Sequence, residues 1–149
     1  MMMTQEENIR FADDMHKAFF IEYSRKTDPD VYLSSLIYTL GVCRDTRRHF
    51  HSIYDTKERC IIPKAIDNPW QTDSSLKVTR LAFQLYTNST PTAFLGGSSD
   101  IDECRRYTVS NIFCCSYAPY FIDAVYLRYP EYLNCYRREK YLFSGNNIG

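Results

Sequence analysis

Thirteen consecutive residues without a charge, Val31 to Cys43 (VYLSSLIYTLGVC), constrain this chain more than any other feature. A membrane-spanning helix needs roughly 20 apolar residues. This run is shorter and contains Ser34, Ser35, Tyr38 and Thr39, so it reads as a helix buried in protein rather than in lipid. A helix that is apolar on all sides has to be enclosed by others. With 149 residues available, the expectation is one domain built around that segment.

The flanking sequence supplies the enclosing helices. Phe11, Met15, Phe19 and Tyr23 repeat at i+4 in a segment 6–24, and Thr4 with Glu7 has capping-box spacing. Asp28 and Pro29 mark a stop and restart before a helix at 30–41, where Leu33, Leu36, Ile37 and Leu40 share a face. Gly41 either ends or kinks that helix. The pattern continues at 44–55 with Phe50, Ile53 and Tyr54. It resumes at 73–87 with Val78, Leu81, Ala82 and Leu85 behind a Thr72 or Asp73 cap, and at 111–129 with Ala118, Phe121, Ile122, Val125 and Tyr129. No window alternates with period two, and only five Gly and six Pro argue against a turn-rich sandwich. The fold class is therefore all-α, a single compact domain of five to six helices over 1–149. A flexible loop is expected near 87–105 and a loose tail at 143–149. The predicted core is Leu36, Ile37, Leu40, Phe50, Leu81, Leu85, Phe121, Ile122 and Val125.

Most chemistry is disfavoured by spacing. The N-terminus lacks a basic segment followed by an apolar one, which predicts a cytoplasmic protein with six free cysteines and no disulfide. Cys114, Cys115 and Ser116, with His49 and Asp123, could be drawn as a triad. Their surroundings (Phe113, Tyr117, Tyr120, Phe121) are core-like, and an apolar setting keeps a thiol protonated and inert. His49 and His51 are two apart, unlike paired helical metal ligands, and His16 stands at the edge of its stripe. Phosphate-loop, dinucleotide and metalloprotease motifs are absent. The expectation is a non-enzyme without metal or cofactor.

Charge is distributed in blocks within a chain of net zero charge. Residues 44–64 carry six bases and three acids, as do residues 105–149, while acids dominate 1–30 and 65–104. On a helix from 44 onward, Arg44, Arg47, Arg48 and His51 fall on one stripe, opposite Phe50 and Ile53. That stripe is either a solvated face paired with neighbouring acids or a surface that grips phosphates or carboxylates. Arg128, Arg137 and Arg138, set among Tyr126, Tyr129, Tyr132, Tyr136 and Tyr141, form a second candidate, since Tyr and Arg are enriched at interfaces. The alternative there is long side chains covering a core edge.

Three blocks carry a resemblance: SLIYTLGVCRDTRRHF (35–50), WQTDSSLKVTRLAFQLY (70–86) and IFCCSYAPYFIDAVYLRYPEY (112–132). They resemble a family of small proteins of unknown function from Firmicutes and their mobile elements. The resemblance implies no catalytic residues. It implies a bacterial accessory protein that contacts a host protein or ribonucleoprotein complex, as an inhibitor of a defence system (anti-CRISPR-like) would. The alternatives are a small nucleic-acid-binding regulator and, third, a cysteine-dependent enzyme.

Overall fold

A computed structural model describes residues 9–93 and 100–133. The uncharged run is helix α2, Val31–Gly41, capped by the Asp30 side chain, which accepts from the Leu33 N–H. Every residue from Leu33 to Gly41 is buried. α2 packs most extensively against α5 (Asp73–Thr87), then α8 (Ala118–Arg128) and α1 (Asp14–Thr27). The architecture is all-α around one central helix. Among the described residues no helix is long and apolar enough to cross a membrane.

α1 starts later than periodicity suggests, because Asp13 caps it by accepting from the His16 N–H. The Thr4–Glu7 pair lies outside the described residues. The inward face is His16, Phe19 and Phe20, while Met15 is 63% exposed. His16 turns the helix because both ring nitrogens are satisfied inside: Nδ1 accepts from the Ala12 N–H at 3.0 Å and Nε2 donates to the Tyr38 carbonyl at 2.8 Å. Burial pushes its pKa down to about 4. Gly41 ends α2 against this imidazole. A Cβ there would stand 2.9 Å from His16 Cδ2 and 2.8 Å from Phe19 Cδ1, so the helices approach this closely only over a glycine.

The segment 44–55 is not one helix. It divides into α3 (Arg44–Arg48) and α4 (Phe50–Ile53), followed by strand β1 (Tyr54–Asp55) paired antiparallel with β2 (Cys60–Ile61). His49 makes the break: its backbone sits at φ −110°, ψ 24°, and its ring stacks on Trp70 with centroids 4.2 Å apart and planes 4° from parallel. In contrast, α5 spans the predicted 73–87, with a capping box between Thr72 and Ser75. α6 (Asp100–Arg105) occupies the end of the stretch expected as loop at 87–105, and the buried Arg80 ties it to α5 through Glu103 at 2.8 Å. The tail 143–149 lies outside the described residues.

The predicted helix 111–129 is also two, α7 (Val109–Ile112) and α8. Pro119 explains the division, since proline fits a first turn and cannot donate within a continuing helix. Leu36, Ile37, Leu40, Phe50, Leu81, Leu85 and Phe121 are core residues as expected. Ile122 is not: it is 55% exposed, and Val125 is half-buried. α8 turns Phe121, Ala124 and Leu127 inward instead, together with Asp123, which accepts from the Arg10 backbone N–H and guanidinium.

Candidate functional site

α3 is held to the end of α2 from two sides. The buried Thr46 hydroxyl donates to the Leu40 and Cys43 carbonyls, and Arg47 Nη1 reaches the Gly41 carbonyl at 2.6 Å. Arg47 thus caps a helix C-terminus, where a cation is favoured by the helix dipole, and is half-buried rather than displayed. Arg44 and Arg48, one turn apart on the same short helix, are exposed. Among the described residues neither guanidinium has an ion-pair partner. Pairing with acidic neighbours, the solvated alternative, is not seen there.

His51 is exposed but lies beyond the His49 break, so the four-residue stripe is not one helical face. Its Nε2 lies 3.2 Å from the Tyr23 hydroxyl, and its ring meets Phe50 edge-on. Arg128 departs furthest from expectation. It is 5% exposed, donates from Nε to the Leu85 carbonyl and from Nη2 to Asn88 Oδ1, and lies 3.7 Å over the Tyr32 ring. It closes the C-terminal end of α5 on the start of α2. Tyr126 is buried as well, whereas Tyr132 is 76% exposed. Arg137, Arg138, Tyr136 and Tyr141 lie outside the described residues.

The imagined triad is dispersed among separate partners. Cys115 Sγ donates to the Ile112 carbonyl, His49 Nδ1 donates to Asp45 O, and Asp123 receives Arg10. Cys43, Cys60, Cys104, Cys114 and Cys115 are free thiols, and Cys135 lies outside the described residues. Among the described residues no three His, Cys, Asp or Glu side chains gather where a metal ion could be held.

Periodicity missed a cleft of about 390 Å³ between the end of α1, α4 and the hairpin. Tyr23, Lys26, His51, Tyr54, Thr56 and Arg59 line it. Its only legible signal was the basic surplus over 44–64. The hairpin that carries Thr56 and Arg59 lay inside and beyond a stretch that reads as helix.

A family model described as a family of unknown function (DUF6075) matches residues 6–141. No curated protein and no solved structure matches the chain.

Proposed function

The chain thus belongs to a family of unknown function, and from its own geometry we propose that it is a non-enzymatic binding protein that engages an acidic protein surface through α3. The observation that carries this reading is the exposed Arg44–Arg48 pair, without an acidic partner among the described residues. Two planar, always-charged forks one turn apart match carboxylates presented at similar spacing. A net charge of zero disfavours the phosphate backbone of a nucleic acid, which rewards a broad positive field. A cytoplasmic setting, a mobile-element origin and a defence complex as target, inhibited by contact in the anti-CRISPR manner, rest on the resemblance of the three sequence blocks alone.

The test is affinity capture from a bacterial lysate, with and without nuclease, using the wild-type chain and an Arg44→Glu, Arg48→Glu double variant. A protein partner retained after nuclease and lost with the double variant is the expected result. The variant's thermal stability should match the wild type, since exposed charge changes shift stability by less than about 0.5 kcal/mol. Capture that disappears with nuclease would favour the regulator. Capture unaffected by the double reversal would remove α3 from the interface.

A further inference from the structure

Arg59 occupies a backbone conformation that its side chain does not favour. Its φ is 56°, in the left-handed region, where glycine or asparagine is the usual choice. The other two non-glycine residues there among those described are Asp28 and Asn88, both helix caps of the types that tolerate it. Arg59 instead closes the four-residue loop of the hairpin, next to β2. The loop's backbone is held by groups other than the Arg59 guanidinium. Asp55 Oδ1 accepts from the Lys57 and Glu58 N–H groups, and the Tyr86 hydroxyl donates to the Arg59 carbonyl at 2.9 Å. The Tyr86 proton being used there, the Tyr54 hydroxyl donates to Tyr86 at 3.2 Å. A relay from the buried Tyr54 through the half-buried Tyr86 therefore fixes the loop backbone, and the guanidinium reaches the Tyr54 hydroxyl with one part of its donor fork.

That guanidinium borders the cleft. Lys26 lines it from the end of α1 and His51 from α4, with the Tyr23 and Thr56 hydroxyls between, and no carboxylate is among the lining residues. Glu22 binds Lys26 Nζ at 2.7 Å, which raises the ammonium pKa and leaves its other N–H groups available. We propose that this cleft binds the phosphate group of a small ligand, with Arg59 as the fork and Lys26 as the second cation. A phosphate spreads its charge over several oxygens and can accept from donors on separate walls, whereas a carboxylate offers two oxygens in one plane. The volume of about 390 Å³ lies at the lower end of the roughly 300–1,000 Å³ typical of small-molecule sites, with room for the group that bears the phosphate. Local backbone strain is tolerated where the side chain it presents is needed. Arg44 and Arg48 do not line the cleft, so this site stands apart from the α3 face.

Calorimetric titration with pyrophosphate and with ADP, citrate serving as the carboxylate control, tests the proposal. Both phosphates should bind saturably and citrate far more weakly. Tighter binding of ADP would identify a nucleotide, and equal binding would show that the phosphate end alone is read. Arg59→Gly should weaken binding at least about tenfold, the equivalent of one charge-assisted hydrogen bond, while melting no lower than wild type because strain is relieved. Lys26→Ala, at an exposed position, should weaken binding in the same direction. The Arg44→Glu, Arg48→Glu variant should bind pyrophosphate as wild type does, which separates this site from the protein interface. Absence of saturable heat at millimolar phosphate ligand, citrate equal to pyrophosphate, or both Arg59→Gly and Lys26→Ala binding unchanged would overturn it.

Discussion

Residues 44–55 and 73–87 both read as single amphipathic helices, yet only the second is one. α5 carries its own boundary signals: Thr72 and Ser75 satisfy each other's backbone at the start, and Asn88 takes the left-handed cap at the end. The segment from Arg44 has no side-chain cap on Cys43 or His49. Its interruption is caused from outside, by Trp70 stacking on His49, and its last residues enter a hairpin. Hydrophobic spacing reports which side is apolar in both cases. It does not report whether the backbone continues, because that depends on caps and on partners distant in sequence.

The strongest way to break this contrast is to remove the contact that ties α5 to α6. Arg80 is buried and directs both Nε and Nη2 to Glu103 Oε1 on α6. Arg80→Ala leaves a largely buried carboxylate without its main partner. The expected loss is about 3 to 4 kcal/mol by urea denaturation. Replacing Glu103 by leucine together with Arg80→Leu should recover much of it, since a well-packed apolar pair avoids the desolvation cost. A loss below about 1 kcal/mol for Arg80→Ala would mean that α5 owes its continuity to its caps and propensity alone.

Legibility followed the same division. The central helix, the bounds of α5 and most of the core could be read because each depends on residues close in sequence. The face of α1 could not, because a buried histidine is apolar only once its two nitrogens have found Ala12 and Tyr38. Arg128 looked like an interface residue, and the Leu85 carbonyl and Tyr32 ring that bury it come from two other helices. Arg44 and Arg48 were legible as exposed bases. Arg47, between them, was not legible as a cap.

Acid provides the next test, from below the broken segment, since α2 rests through Gly41 on His16. The folded pKa, about 4, lies below the unfolded value of 6.5, so the unfolded chain takes up a proton that the native protein refuses. The stability held by neutral His16 is complete above pH 6.5 and is lost as pH falls toward 4, up to about 3 kcal/mol. The cause is geometric as well as dielectric, because a protonated Nδ1 would point its hydrogen at the Ala12 N–H. Denaturation between pH 7 and pH 4 should show this slope, and His16→Gln should flatten it. An unchanged slope in the variant would assign the acid loss to carboxylates.

The smallest effects separate the arginines within α3 itself. Arg47→Ala removes a charge-assisted bond to the Gly41 carbonyl and should cost about 1 to 2 kcal/mol in a thermal or urea melt. Arg44→Ala and Arg48→Ala, exposed on the same helix, should each cost less than about 0.5 kcal/mol. Arg47→Lys should recover only part of the loss, because an ammonium on a shorter, flexible stem does not present the same fork to a carbonyl at the end of a helix. In partner capture the ranking should invert, with Arg44 and Arg48 dominant. Equal stability losses for all three substitutions would return Arg47 to the exposed stripe and make the segment from 44 onward a plain amphipathic surface after all. A large loss confined to Arg47 would show that a single residue, lying between two others of its own kind, is held in the fold by a carbonyl that sequence periodicity does not register.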